Sequence, residues 1–391
     1  MSGADGPRRL VILGSTGSIG LSALEVVRRY RDRFEVVALG ARANADMLAA
    51  QAVEFHAGYA ALADRDAARR LRAAVPGVEV LDGPEGLEAL AAIEADVVLC
   101  AMVGAAGLQP VLRAIDAGNA LALANKEPVV MAGRLIMERA ARRGVRVLPV
   151  DSEHNAIFQC IQGHPKEGVR CIHLTASGGP FYGRPRAALR EVTPEQAARH
   201  PTWNMGAKIS VDSATLMNKG LEIIEAMWLF DMPARKIEVV IHPQSVVHGL
   251  VEFNDGHILA HLGVTDMKSP ILFALTYPER VASPMDRLNL AALSELSFAA
   301  PDFEAFPCLA YARQAAAAGG TAPAILNAAN EEAVTAFCAH RIPFLSISDV
   351  VGEVFDTCAP GPDRDLESVL AADAAARQCA RIAVETISMR V

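Results

Sequence analysis

Between His200 and Glu222 the chain reads HPTWNMGAKISVDSATLMNKGLE, a short span that holds His200, Lys208, Ser213, Asn218, Lys219 and Glu222. An imidazole, two ammonium groups, a hydroxyl, an amide and a carboxylate are the groups that bind an anion, move a proton and hold a cation. Trp203 and Met205 sit beside Pro201 and Gly206, which reads as a loop with apolar residues at its tip. Leu221, Ile224, Met227 and Trp228 then recur at helical spacing, placing Glu222 one step off an apolar face. Asn218 and Lys219 precede the helix that carries Glu222 and stand at its positive end, where backbone N–H groups lack partners. Convergent polar groups beside an apolar loop point to a binding site rather than to an ordinary solvated helix.

A second set falls outside this stretch. Asp151 and Glu153 are hard oxygen ligands two residues apart, suited to Mg²⁺ or Mn²⁺ rather than zinc, and Glu222 would complete three carboxylates with positions open for a substrate. Asn125-Lys126-Glu127 follows ALALA directly, and Ser177-Gly178-Gly179 breaks a strand with a turn whose N–H groups and hydroxyl suit an anion. Lysine usage points the same way. Of 37 basic residues only six are lysine, at positions 126, 166, 208, 219, 236 and 268, so a lysine here suggests a place where a compact ammonium is required.

These residues need elements to position them. Arg9 to Leu13 is a short apolar strand, followed by Gly14-Ser-Thr-Gly-Ser-Ile-Gly20 and a helical run from Leu21 to Tyr30. Strand, glycine turn and helix is the context in which glycines let the backbone approach a pyrophosphate at a helix N-terminus, although the spacing is G-x-x-G-x-x-G rather than G-x-G-x-x-G. A second strand, Phe34 to Leu39, ends in Gly40-Ala-Arg-Ala-Asn44. No acid stands there to hold a ribose 2′-hydroxyl, whereas Arg42 suits a 2′-phosphate, which favours NADP over NAD. The βα rhythm continues through Val78–Leu81, Asp96–Cys100, Ala120–Leu123 and Arg146–Val150, predicting a doubly wound parallel sheet whose carboxyl edge carries Asn125 and Asp151.

Beyond it, residues 171–182 begin as a strand, and Ile237–Ile241, Val246–Phe253 and His257–Leu262 read as three more, the last two joined by an Asn254-Asp255-Gly256 hairpin turn. His242 and His248 read as structural. The open edge of such a sheet invites pairing between two copies. From Cys308 the chain is alanine-rich and helical, broken at Gly319-Gly320, Pro343 and residues 359–362. The fold class expected is α/β: an N-terminal Rossmann-like NADP-binding domain (1–150), a central α+β catalytic and dimerisation domain (151–285) with a lid about 197–207, a linker (286–306) and a C-terminal helical bundle (307–391).

Composition narrows the class. A net charge of −8, a pI near 5.7 and no basic run argue against nucleic acid or an anionic membrane as partner. Seven scattered cysteines with no C-x-x-C pair argue against a disulfide framework or structural zinc and fit a reducing cytosol. No apolar run reaches membrane length, and residues 1–9 are too short and polar for a signal peptide.

Taken in order, GSTGSIG, ALANKE, VDSEHNAIFQ, LTASGGPF, HPTWNMGAKISVDSATLMNKGLEIIEA and IHPQSVVHGLVEF resemble the 1-deoxy-D-xylulose 5-phosphate reductoisomerases. The resemblance covers nearly the whole chain, including LNAANEEAV in the helical tail. It implies conversion of 1-deoxy-D-xylulose 5-phosphate, with NADPH, to 2-C-methyl-D-erythritol 4-phosphate, the committed step of non-mevalonate isoprenoid synthesis. It also implies a divalent metal (Mg²⁺ or Mn²⁺, with Co²⁺ a further candidate) on Asp151, Glu153 and Glu222. Substrate contacts would come from Lys126, Ser152, Glu153, Ser177, His200, Trp203, Ser213, Asn218, Lys219 and Glu222, with Lys126, Glu153 and His200 as catalytic residues. NADPH would lie along Thr16, Gly17, Ser18 and Ile19 and reach Arg42, Asn44, Asn125, Glu127, Met205 and Gly206. A cytoplasmic homodimer is implied as well. The chain departs from the family pattern at Arg42-Ala43 and at Gly263-Val-Thr-Asp-Met267.

Two other readings stay open. A semialdehyde dehydrogenase or similar NADP enzyme requires an activated cysteine, for which Cys160 and Cys171 are the ones within 125–222. A nucleotide sensor on the same cofactor fold has no need of three carboxylates and two phosphate-type clusters. If Arg42 reads the 2′-phosphate, Arg42→Ala should lower the NADP/NAD ratio of kcat/KM about ten- to a hundredfold, the worth of one charge-assisted hydrogen bond. Steady-state kinetics with both cofactors checks this, and an unchanged ratio assigns the contact elsewhere.

Overall fold

The computed structural model describes residues 6–203 and 205–389; residues 1–5 and 390–391 of the terminal domains, and Asn204 in the expected lid, lie outside the described residues. By its contacts the chain forms two compact units. The first comprises Met1–Pro128, Ile136–Asn155 and Asp266–Met285, and the second Val129–Leu135, Ala156–Thr265 and Asp286–Val391.

In the first unit seven strands form one sheet: β1 (Arg8–Leu13), β2 (Phe34–Ala41), β3 (Tyr59–Leu62), β4 (Glu79–Asp82), β5 (Val97–Cys100), β6 (Ala120–Leu123) and β7 (Val147–Pro149). Their order is β4-β3-β2-β1-β5-β6-β7, and every pair is parallel. Helices cover both faces of such a sheet, so its strands read as continuous apolar runs; β5, VVLC, is buried at every position. Strand order reverses between β1 and β5, and ligands of doubly wound sheets bind outside the carboxyl ends at that reversal. β3, YAAL, was not among the expected strands. Alanine has low strand propensity, and only burial between two neighbours makes this segment a strand.

The first helix runs Ser18–Arg29, beginning three residues before the apolar run suggested. Its start is set by the glycine turn: a Cβ on Gly20 would lie 2.3 Å from the Gly14 carbonyl oxygen, so the first helical turn packs directly on the loop. The helix Lys268–Thr276 returns to this unit and packs against Ser18–Arg29, β6 and β7. Arg8 fastens it by donating to the carbonyls of Leu275 at 2.8 Å and Tyr277 at 3.0 Å.

The second unit is built on a four-stranded sheet: β8 (Val169–Ala176), β9 (Ile237–Ile241), β10 (Val247–Phe253) and β11 (Ile258–Leu262), in the order β11-β10-β8-β9. β8 and β9 are parallel and the other pairs antiparallel, with Asn254-Asp255-Gly256 turning β10 into β11. Residues 286–306 are docked rather than loose, since Ile241 and Ala299 exchange both backbone hydrogen bonds at 2.8 and 2.9 Å. His242 holds the same segment: its Nδ1 donates to the Ser297 carbonyl at 2.9 Å while Nε2 accepts from Val246 and Val247. Its structural role is as expected. The tail helices Cys308–Ala318, Ala322–Cys338, Ser346–Thr357 and Leu366–Ser388 share one continuous core with the sheet, in which Ile172, Leu174, Ile224, Leu309, Leu326 and Val350 all take part.

The helix Met217–Leu229, expected to be amphipathic with Glu222 one step off its apolar face, is instead buried on most sides: most residues from Met217 to Ala226 are buried, Glu222 and Glu225 included. Periodicity reports the strongest apolar stripe, but this helix lies between β8, β9 and the helix Cys308–Ala318, which cover its other faces. Close approach depends on Gly220, where an added Cβ would sit 2.4 Å from the Ala312 methyl. Gly220→Ala should therefore separate the two helices and destabilise the protein by about 1–3 kcal/mol despite the gain in helix propensity. Urea denaturation checks this, and a variant more stable than the parent would show that the pair yields without strain.

Candidate active site

Within the first unit the glycine turn divides its labour. Gly14 has φ +88° and would place a Cβ 2.3 Å from the Ala101 carbonyl oxygen, so only glycine lets β1 leave the sheet this close to the end of β5. Gly17 is the extended, exposed N-cap of Ser18–Arg29, with no side-chain cap. Thr16, Ser18 and Ile19 flank it, partly or wholly exposed. Helix N–H groups facing outward at an uncapped glycine are a site for a pyrophosphate. Arg42 is exposed just after β2, and Asn44 caps the helix Ala45–Phe55 by accepting from the Met47 N–H at 3.1 Å.

At the ends of β6 and β7 the groups are buried. Asn125 Nδ2 donates to Glu127 Oε2 at 2.5 Å, while Asn125 Oδ1 is buried with no hydrogen-bond partner among the described residues. That oxygen packs against Gly107, where an added Cβ would lie 1.9 Å from it, so Asn125 is held rigidly at the carboxyl end of β6, the edge where doubly wound sheets bind ligands. Lys126 Nζ donates to Asp151 Oδ2 at 3.0 Å with both side chains largely buried. Asp151 Oδ1 accepts from the Glu153 N–H at 3.2 Å and lies 3.2 Å from Nδ1 of His154, whose ring is fully buried. Ser152 donates its hydroxyl proton to Glu153. Hard carboxylate oxygens held by an ammonium and by the start of the helix Ser152–Ile161 suit a divalent cation of the Mg²⁺ class.

The second unit carries the other group. The turn after β8 has Gly178 at φ +86° and Gly179 at φ +70°, and the Gly179 N–H donates to Ser177 Oγ at 3.1 Å. His200 reaches the same hydroxyl. Its Nδ1 accepts from the backbone of Thr202 at 3.2 Å and Trp203 at 3.0 Å, so the proton sits on Nε2, which donates to Ser177 Oγ at 2.9 Å. His200 thus ties the loop holding Trp203 to the Ser177 turn, and the Trp203 ring lies 6.3 Å from that of His248. Met205 and Gly206 end the loop, Gly206 as N-cap of the helix Ala207–Ala214, which carries Ser213.

Asn218 and Lys219 lie inside the first turn of Met217–Leu229 rather than before it. Leu216, the N-cap, has φ +59°, a left-handed conformation that is unfavourable for a branched side chain by about 1–3 kcal/mol and that collects at functional sites. Asn218 Nδ2 donates to Glu222 Oε1 at 2.6 Å and the Lys219 ammonium donates to Oε2. Glu222 has 0% exposure and Lys219 3%, so a carboxylate and an ammonium are buried together at a helix N-terminus.

The regions 10–133, 147–230 and 262–379 match, in turn, models for 1-deoxy-D-xylulose 5-phosphate reductoisomerase, its C-terminal domain, and the DXP reductoisomerase C-terminal domain. A 1-deoxy-D-xylulose 5-phosphate reductoisomerase from Ralstonia nicotianae is 53% identical over 378 residues, 95% of this chain and 96% of the relative. One from Moorella thermoacetica is 52% identical over 97% of this chain and 99% of its own length. The chain belongs to the 1-deoxy-D-xylulose 5-phosphate reductoisomerase family. Among solved members, that of Zymomonas mobilis in complex with NADPH superposes with a TM-score of 0.91 at 45% identity, covering 97% of this chain and 99% of its own. A DOX-P reductoisomerase in complex with NADPH, fosmidomycin and magnesium gives 0.92 at 42% identity, over 97% of this chain and 98% of its own.

The local chemistry argues against a nucleophilic thiol: burial pushes the thiols of Cys160 and Cys171 up, opposite to what a nucleophile requires. His154 stands beside Asp151 with no motif to mark it, because only its complete burial makes it notable. Removing Lys219 should leave Glu222 as a poorly compensated buried charge, so Lys219→Met should destabilise by about 3 kcal/mol, and adding Glu222→Gln should restore at least half of that. Urea denaturation of both variants and the single Glu222→Gln completes the cycle; additive losses would show that the two groups do not act as a pair.

Proposed function

We propose that the protein catalyses the NADPH- and divalent-metal-dependent rearrangement and reduction of 1-deoxy-D-xylulose 5-phosphate to 2-C-methyl-D-erythritol 4-phosphate in non-mevalonate isoprenoid precursor synthesis. The observation that carries this reading is the buried Lys219 ammonium beside Asn218 in the first turn of Met217–Leu229. Such a group suits a phosphate, which gains charge-assisted hydrogen bonds and the helix N-terminus at once. Ser213 and Ser177 supply the hydroxyl contacts. The phosphate takes no part in bond breaking, and its binding energy serves to draw in the His200–Trp203 loop and align the reacting carbons.

Asp151, Glu153 and Glu222 hold the cation in this reading, supported by their chemistry as hard oxygen donors and by a magnesium-bound solved relative. NADPH binds along Thr16, Gly17, Ser18 and Ile19, with Arg42 toward the 2′-phosphate, Asn44, Met205 and Gly206 along its length, and Asn125 and Glu127 at the nicotinamide. The Zymomonas mobilis relative was solved with NADPH. When bound, NADPH supplies the hydride, and the cation polarises the substrate's ketone oxygen. Lys126 adds positive charge beside the oxygens where negative charge develops, and Ser152, His200 and Trp203 orient the sugar and exclude water.

Residues 1–150 then serve cofactor binding, 151–285 catalysis and dimerisation, 286–306 the connection and 307–391 support. No helix among the described residues is long and apolar enough to cross a membrane, and a cytoplasmic location accords with seven unpaired cysteines. A homodimer fits β11, an edge strand that exposes Ile258, Leu259 and Leu262.

Loss of NADPH absorbance on adding 1-deoxy-D-xylulose 5-phosphate and Mg²⁺ tests the reaction. Chelation should abolish turnover while leaving NADPH binding intact by fluorescence titration; turnover in excess chelator would remove the metal from the reading. The phosphate anchor has its own test. Lys219→Ala should lower kcat/KM about ten- to a hundredfold with the phosphorylated substrate and little with the unphosphorylated sugar. Equal losses with both would assign Lys219 to structure or chemistry instead.

A further inference from the structure

Asp212 and Asn330 have no task in the reaction as read above, yet they are buried against each other. Asp212, on Ala207–Ala214, is 1% exposed, and Asn330, on Ala322–Cys338 within the LNAANEEAV segment, is 0% exposed. Asn330 Nδ2 donates to Asp212 Oδ1 at 2.8 Å across 118 positions of sequence. One turn earlier on its own helix, Lys208 places Nζ 2.8 Å from Asp212 Oδ2. The helix bearing Asn330 is anchored in turn, because Arg377 of Leu366–Ser388 donates to Glu331 at 2.8 Å and to Asp373 at 2.8 and 3.0 Å.

A buried carboxylate is a poor source of stability, since well-packed apolar groups of the same volume generally do as well or better. What a two-point clamp on a carboxylate adds is orientation. Ala207–Ala214 is a short helix whose buried face, Ser210, Val211 and Ala214, carries no long side chain, so the polar clamp on Asp212 is the long-range contact that keys its rotation. That rotation has a consequence one residue away. Ser213 follows Asp212, and its carbonyl oxygen abuts Gly179 so closely that a Cβ there would sit 2.7 Å from it. Turning the helix therefore moves Ser213 and presses on the turn whose Ser177 hydroxyl accepts from His200.

We infer that Asp212 and Asn330 are positioning residues for the phosphate end of the substrate: through the clamp they set where Ser213 and the Gly178-Gly179 turn stand, without touching the ligand. The inference rests on the phosphosugar reading and on Ser213 as one of its contacts. Asn330→Leu removes the donor and keeps the branching at Cγ, with a bulkier side chain. Asn330→Ser removes it with a hydroxyl able to bond the carbonyl four residues back, and it carries the test if the leucine variant does not fold. The double variant Asp212→Asn with Asn330→Asp reverses donor and acceptor.

In each single variant the KM for 1-deoxy-D-xylulose 5-phosphate should rise about tenfold, the scale of one weakened hydrogen bond to a charged group, while kcat and the KM for NADPH stay within about twofold. Inhibition by inorganic phosphate should weaken in parallel, and the reversed pair should regain most of the loss. An unchanged substrate KM overturns the inference. So do equal losses in kcat and both KM values that track a fall in Tm, which would make the pair a stability element. A parent protein without turnover overturns the phosphosugar reading and this inference with it, whereas an active parent with unmoved variants overturns the inference alone.

Discussion

A carboxylate buried at zero exposure, Glu222, sits on a helix that is covered on nearly every side, and much of the second unit follows from accommodating it. An isolated charge there would be prohibitive, so it is held by the Lys219 ammonium and the Asn218 amide from the preceding turn of the same helix. Spacings of three and four residues put all three groups on one face. They also fix which face that is, leaving Gly220 toward Ala312, where no side chain fits. The left-handed Leu216 makes the sharp entry that brings Asn218 into the first turn. Charge burial, close helix packing and backbone strain are thus one arrangement rather than three features.

The first unit obeys a different constraint. In a parallel sheet every strand points the same way, so the chain leaves all strands at one edge, and chemistry collects there. Lys126 and Asp151 belong to successive strand exits, after β6 and β7, and they meet as a largely buried ion pair because those strands are neighbours. At the β1–β5 reversal the exits must diverge, and Gly14 allows the closest approach just before they do. The departure from the usual glycine spacing is then understandable: Gly14 and Gly20 serve packing of the turn, and Gly17 alone is left open as the helix N-cap.

Lysine scarcity proved a partial guide. Lys126, Lys208 and Lys219 each pair with a carboxylate at a partly or fully buried position. Lys166 and Lys268 instead form exposed pairs with Asp231 and Glu25, the kind that contributes little. A residue's rarity in composition says that its chemistry is unusual for the chain; it does not say where the dielectric is low.

Local sequence determined the element types, the βα rhythm, the hairpin at Asn254-Asp255-Gly256 and the motifs that name the family, because each depends on neighbours within a few residues. The chemically telling residues were legible for the same reason: Asp151, Glu153, Lys219 and Glu222 stand in short motifs. Long-range packing decided what those motifs could not express. The strand Tyr59–Leu62 exists because its neighbours bury it, the helix Lys268–Thr276 joins the first unit through contacts with distant segments, and Glu222 is buried because elements remote in sequence close over its helix. Asp212 and Asn330 lie 118 positions apart, and neither looks unusual in its own surroundings. Periodicity can reveal one apolar stripe, but burial is a property of everything that packs against it, and that is set only when the whole chain has folded.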